Sequence, residues 1–532
     1  MHRTTLVILA ALAFASLPQA SADGSAAPDP LDALPAAEFT RDAAAHLLRR
    51  AGFGGTPEEI DALHAKGLAA AVASLVDYEK VESDLPAFVP FQTDGPNVRD
   101  AKTEEERRRF FQEHRRLDYA QQHAVKSWWL SRMVQTKRPL EEKMTLFWHN
   151  HFTSGFRDVK NSYHMYIQNT LLRRHATGDF RAFTKAIARD LAMLEYLDNR
   201  ANRKQQPNEN FARELMELFT LGVGNYTERD IKEAARAFTG WTFRGNQFTD
   251  AKVLHDYGAK TILGKTGNFD GDQVIDLLLA QPSASRYIAG KLFRYFAHDA
   301  PTEAVVEALA QALRDAGWQI KPVLAKLLAS REFFAPASVG TQIKSPVVLM
   351  VSLMRLTGAD PNLAVMVAGV CETLGQNLLD PPNVKGWAGG RDWITTSVLF
   401  ERYNAAQMLV ASKNELAVLG QRMRARLQAY QRLLLEAEGM DPESMMGSGD
   451  HYAPKMTSAV APYPVATRVV GCATAEDVVD RLTALLLARP PSAELRARLV
   501  EHLGAGKAAP FDDESLHGIL KLIVSTPEFQ LS

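Results

Sequence analysis

The sequence predicts an all-α fold, a multi-helix globular assembly with minor hairpins and one long irregular connection. Three observations predict it. Apolar residues recur at helical spacing through most of the 532-residue chain. Cap and stop residues punctuate those segments. Alternating β-branched runs are few, and WTFRGNQFTD (241–250) reads as one arm of a small hairpin.

The elements follow in chain order. A basic start (His2, Arg3) precedes an apolar run from Leu6 to about Leu17, and Ala20-Ser21-Ala22 has the small-x-small form of a cleavage site. Residues 1–22 therefore read as a secretory signal peptide, cleaved near Ala22 and too short for a membrane span. Residues 23–39 are expected to be a disordered leader, 40–437 a helical main domain, 438–473 a flexible connection rich in Gly, Pro, Ser and Met, and 474–532 a C-terminal helical hairpin packing on the main domain.

Within the main domain, FTRDAAAHLLRRAGFG reads as a short helix ending at Gly52. Thr56, Pro57 and Glu59 give the next helix a cap, a first-turn proline and a capping-box partner. Residues 103–136 read as a long charged helix or a broken pair, with Arg and Glu interleaved on a solvated face. Thr227, Asp230 and Gly240 bracket another helix. A weak echo links 273–336 with 477–532, whose ends LLASREFF and IVSTPEFQ are alike.

Charge is nearly balanced: 61 Lys and Arg against 62 Asp and Glu, or −2 once Arg3 leaves with the signal peptide. Nothing in that balance points to nucleic acid. No apolar stretch after the signal approaches the ~20 residues of a membrane span. Cys371 and Cys472 fit either a bridge in an exported compartment or two separate small hydrophobes.

Candidate site residues are polar groups that fall on apolar faces. In NENFARELMELFTLG, a 100° projection puts Glu214 between Leu218 and Leu221, where a carboxylate needs a partner. Glu217 sits one turn from Arg213 and reads as its surface partner. FWHNHF places His149 and His151 in aromatic surroundings, a weak His-x-His metal signal beside the commoner core histidine. Asp198 follows Leu191 and Leu194 at helical spacing. His255 and Asp256 stand in a polar loop with Gly258, and Trp387 and Trp393 flank Arg391 in another. No Gly-x-Ser-x-Gly elbow, phosphate loop, His-Glu-x-x-His or dinucleotide fingerprint is present.

RRAGFG, FWHNHF, LDN followed by NENFARELMELFTLGVGNYTERDIKEAARAFTGW, HDYGAKTILG, PPNVKGWAGGRDWI and ERYN resemble the bacterial family called domain of unknown function 1800, over roughly 40–530. The resemblance implies an exported, mostly helical protein without an established activity. Such genes often lie beside a second exported family resembling the alkaline phosphatase and sulfatase fold. It assigns no catalytic residues, and some members carry His where Phe219 stands.

The leading expectation is an extracytoplasmic hydrolase of envelope or extracellular polymer. Glu214, Asp198, His255 and Asp256 are its candidate catalytic groups, and Trp387, Arg391 and Trp393 its substrate contacts. Glu214 is expected as general acid/base, or as ligand to a divalent metal with His149 and His151. The competing class is a non-catalytic binding or assembly partner of a neighbouring exported phosphatase/sulfatase-like protein.

Overall fold

The helix Pro139–His151 lies at the seam of two apolar cores. Its Met144, Phe147 and Trp148 enter the first core and its Leu146 enters the second. This computed structural model describes residues 29–94, 101–412, 415, 432, 463–506 and 508–532. Helices dominate them, and the sheet content is two small antiparallel hairpins, so the fold is all-α as predicted.

The first core is walled by the helices Arg41–Ala51, Pro57–Ala65 and Leu68–Val76 and by the run from Phe180 to Phe333. The second gathers the C-terminal half of Glu104–Gln135, the helices Pro346–Thr357, Ala364–Thr373 and Thr396–Leu409, and the C-terminal helices Ala475–Leu486, Ala493–Leu503 and Asp513–Val524. Cys371 and Cys472 are buried in it as free thiols.

Local chemistry places the boundaries. Thr56 and Glu59 form the expected capping box, and Thr227 forms another with Asp230. The charged stretch is one continuous helix of 32 residues, its acidic first turn favourably set against the helix dipole. Trp241–Arg244 pairs with Gln247–Asp250 about the turn Gly245-Asn246, and a second hairpin pairs Lys260–Ile262 with Lys265–Gly267. The sequence echo is structural. Ser330 Oγ donates to Leu327 O and accepts from Phe333 N; Thr526 Oγ1 donates to Ile523 O and accepts from Phe529 N. Each hydroxyl closes a helix and buries the following Phe, one in each core.

Two expectations change. The leader is not disordered as far as residue 39: Leu31, Leu34 and Phe39 are buried, and Leu34 N bonds Ala329 O at 2.9 Å. An apolar anchor every few residues gives this stretch more burial than its Ala/Pro content suggests. The connection 438–473 is described only from 463, where Tyr463 and Val465 are buried ahead of Cys472. Its earlier part and residues 1–22, expected as a signal peptide, lie outside the described residues. Among those described, no helix is long and apolar enough to cross a membrane.

Candidate functional site

One side of the seam helix is polar at helical spacing. Lys143, Phe147, Asn150 and His151 fall on one stripe, and all four line an open cavity of about 420 Å³. Opposite them the helix Pro282–Phe296 presents Lys291, Arg294 and Tyr295, again a single face. The segment Gln342–Ser345, the loop Lys385–Gly390 with Trp393, Arg50 and the C-terminal Ser532 complete the wall.

The lining is cationic. Arg50, Lys143, Lys291, Arg294, Lys344 and Lys385 contribute six basic side chains, against the acidic side chain of Asp299 and the terminal carboxylate of Ser532. Among the described residues none of the six is in an ion pair. They are graded in depth: Arg294 and Lys385 exposed, Lys291 half-buried, and Arg50, Lys143 and Lys344 buried. Arg50 is held by neutral acceptors, with Nε on Phe296 O at 3.0 Å, Nη1 on Ser532 Oγ at 2.9 Å, and Nη2 on Tyr295 O and Gln342 Oε1. Lys344 Nζ donates to Phe529 O at 2.7 Å.

Charge without counter-charge in a low-dielectric wall disfavours protonation. Burial, then Arg294, lowers Lys291 to about 8, and burial lowers Lys344 to about 7. Burial, then Arg50, holds Lys143 well below the usual lysine range.

The core packing of NENFARELMELFTLG positions Lys291. The segment begins as the α-helix Asn210–Glu214 and continues as a π-helix over Leu215–Thr220. Its wider turn ends with Leu221 N on Met216 O, while the carbonyls of Leu218 and Phe219 point outward as acceptors. Leu218 O takes Tyr287 Oη at 2.9 Å and Lys291 Nζ at 3.3 Å, and Phe219 O faces His151 Nε2 at 3.1 Å. A carbonyl only accepts, so Nε2 carries the proton and Nδ1 accepts from Lys291 Nζ at 3.0 Å. Burial, then the lysine, keeps His151 neutral by holding its basicity well below normal.

Of the residues singled out in the sequence, the cavity gathers His151, Trp387 and Trp393. Both tryptophans are buried, at 6% and 7% exposure, so they offer edges rather than open faces. Trp387 N donates to Asn150 Oδ1 at 2.6 Å, and its indole Nε1 is buried without a partner among the described residues. Arg391 is exposed and outside the lining.

The others lie elsewhere. His149 turns the opposite way from His151, because the helix runs through both; its Nε2 accepts from Leu379 N at 3.1 Å. Burial pushes it down to about 3. Asp198 is exposed rather than on the apolar stripe, because the helix has ended at Tyr196 and Asp198 sits at φ 55°. His255 is a core histidine whose Nδ1 meets Thr239 O at 2.9 Å. Asp256 is paired with Arg236 at 2.7 Å, which holds its carboxyl below the usual range.

Glu214 is half-buried, not enclosed. A uniform 100° step fails once the π-turns begin, and Leu218 is itself half-exposed. It is outside the cavity lining; its carboxyl makes no hydrogen bond or ion pair among the described residues, and burial, then Glu217, raises its pKa while Arg213 and, less, Lys385 of the cavity lower it. Glu217 accepts from Tyr226 Oη at 2.9 Å, and Arg213 pairs with Glu228 and Glu209 instead. The expected metal set does not assemble: among the described residues no group of three or more His, Cys, Asp or Glu is placed to hold an ion.

Sequence reasoning missed the lysines. Lys143 in EEKMTLFWHNHF lies in the same apolar surroundings as the histidines, and the projection used for Glu214 would have exposed it.

A family model described as protein of unknown function (DUF1800) matches residues 46–531. No curated protein and no solved structure matches the chain.

Proposed function

The chain belongs to the DUF1800 family, and on that premise we propose that its function resides in the cationic cavity, which binds an anionic group carried by an envelope or extracellular polymer. One observation carries this reading: six basic side chains line a single cavity with one acidic side chain, and among the described residues none of the six is in an ion pair. Unpaired buried cations destabilise a fold. An oxyanion supplies the missing charge, and a ligand that binds the folded state is stabilising by mass action. The cavity's volume lies within the range of small-ligand sites, roughly 300–1,000 Å³. The signal peptide read in residues 1–22 supports an extracytoplasmic ligand.

Glu214 supports a second, hydrolytic reading. Among the described residues its half-buried carboxylate has no partner and a raised pKa, and the cavity residue Lys385 acts on it electrostatically, as does Arg213; this suits a general acid/base serving a ligand that extends out of the cavity. Asp198, Asp256, His149 and His255 have no part in it, being exposed or already partnered. The competing role, a non-catalytic partner of a neighbouring exported phosphatase/sulfatase-like protein, fits a cavity that binds without turnover.

Thermal melts at fixed ionic strength test the main reading, with sulfate, phosphate, an acidic oligosaccharide or a neutral one replacing chloride. The anionic ligands are expected to raise Tm and the neutral one to leave it unchanged. If no anion exceeds chloride, the reading fails. Turnover of a bound ester, lost in Glu214→Gln, selects the hydrolytic role; binding without turnover selects the partner role.

A further inference from the structure

We infer that the group bound in this cavity is a tetrahedral oxyanion, a phosphate or sulfate ester, seated on the ammonium groups of Lys143 and Lys291; the inference rests on the anion-binding reading above. Lys143 is 3% exposed, and its ammonium makes no hydrogen bond or ion pair among the described residues. Its nearest company is aromatic: Nζ lies 5.2 Å from the Phe53 ring centre and 5.6 Å from that of Tyr295. All three of its donors are therefore uncommitted. Lys291 directs two donors to His151 Nδ1 and Leu218 O and keeps one.

The type of cation decides between oxyanions. A guanidinium fork grips carboxylate and phosphate alike in its plane, whereas an ammonium is a point charge whose three tetrahedrally spread donors suit oxygens arranged in three dimensions better than the two coplanar oxygens of a carboxylate. The interior offers no open fork. Every nitrogen of Arg50 is already bonded to Phe296, Tyr295, Gln342 or Ser532, and Arg294 stands exposed at the mouth. Apart from one N–H of Arg50 Nη1 and the neutral indole Nε1 of Trp387, the open donors inside belong to lysines. The cavity is also far larger than a free inorganic ion requires, which leaves room for the alcohol portion of an ester beside Asn150 and the edges of Trp387 and Trp393.

The test uses the full mature chain at constant ionic strength. Titration calorimetry and thermal melts compare glucose 6-phosphate, glucose 6-sulfate, glucuronate and glucose, with inorganic phosphate and sulfate as separate arms. The two esters are expected to bind at least tenfold more tightly than glucuronate and more tightly than the inorganic ions, and glucose not to bind. Lys143→Met is expected to melt at or above the wild-type temperature without ligand, because an unpartnered buried ammonium is gone, yet to lose tenfold or more in ester affinity. Lys291→Gln keeps a donor for His151 and is expected to weaken the esters without unfolding the chain. Glucuronate binding as tightly as the esters overturns this inference and leaves the anion-binding reading standing. Inorganic ions binding as tightly as the esters overturns the ester assignment. Wild-type ester affinity in Lys143→Met overturns the seat, and failure of every anion to bind overturns both readings.

Discussion

Lys291 donates from Nζ to Nδ1 of His151 at 3.0 Å, while His151 Nε2 faces Phe219 O at 3.1 Å. The histidine facing the cavity thus has both nitrogens engaged. It is an orienting prop, and the lysine is the group left to meet a ligand. The π-helix supplies this arrangement, since its last carbonyls, rather than a capping side chain, receive the lysine and the histidine.

Anion binding should weaken as pH rises through about 8, where Lys291 loses its proton in the empty cavity. Sulfate is the suitable probe because it does not titrate there. Affinity is expected to begin falling through about 7, where Lys344 titrates, and to fall by up to about tenfold per pH unit further above 8, in proportion to the Lys291 ammonium lost. Stability without ligand runs the other way. Lys291 is depressed in the fold relative to the unfolded chain, so between about 8 and the ordinary lysine value of 10.5 the unfolded state binds more protons. This group's penalty is present below that window and relieved across it. Sulfate titrations from pH 6 to 10 check the first expectation; a pH-independent affinity would remove Lys291 from the site.

The helices were legible because apolar periodicity and caps act within a few residues: Thr56 with Glu59 and Thr227 with Asp230 form as read. The cavity was not, because its cations come from positions 50, 143, 291, 294, 344 and 385, and a lysine on a helix ordinarily reads as solvated. Reading for buried carboxylates and histidines led to His151, which touches the lysine, and to Glu214, which lies outside the cavity lining. Asp198 was misplaced because the pattern cannot show that its helix had stopped, and Glu214 because no sequence rule announces a π-turn.

Glu214→Gln separates chemistry from architecture. The wild-type carboxylate is half-buried, carries a raised pKa and makes no hydrogen bond, so amidation removes a desolvation cost without breaking a contact. Thermal stability at pH 7 is expected to stay within about 0.5 kcal/mol of wild type or to rise slightly. An ester hydrolysis rate, measured on the same sample, should fall by about 10²-fold or more in the hydrolytic reading. A large loss of stability would mean that the glutamate holds structure instead.

Asp190 gives a second pH signature, away from the cavity. It is buried, with Oδ1 accepting from Gln168 Nε2 at 2.7 Å and Met193 N at 2.9 Å. Burial outweighs those bonds and raises it to about 7. The fold therefore favours its protonated form. That stabilisation is full below the unfolded value of 3.8 and is lost as pH climbs through about 7. Asp190→Asn keeps an oxygen for both donors and cannot ionise. Its stability relative to wild type should rise by up to about 4 kcal/mol across that window and then level off. Urea melts at pH 4, 5.5, 7 and 8.5 measure the difference, and a flat one contradicts the burial argument.

Gly386 is the point where the tryptophan loop meets the seam helix, and replacing it tests whether that junction shapes the cavity. It sits at φ 79°, and a Cβ there would fall 2.2 Å from Asn150 Oδ1 and 2.6 Å from Asn150 O. Asn150 cannot simply turn away, because its Oδ1 accepts from Trp387 N and one of the two clashes is with backbone. Gly386→Ala therefore combines left-handed strain of about 1 kcal/mol with a forced separation of the loop from the helix, and about 2–4 kcal/mol of stability should be lost in all. Gly390 makes an internal control: it too has positive φ, at 55°, but a Cβ there meets nothing within 4 Å. Gly390→Ala should show the conformational cost alone. If the loop sets the cavity wall, anion affinity falls in the first variant well beyond the second, measured where both remain folded. Equal effects would mean that the Asn150–Trp387 junction serves the core and not the cavity.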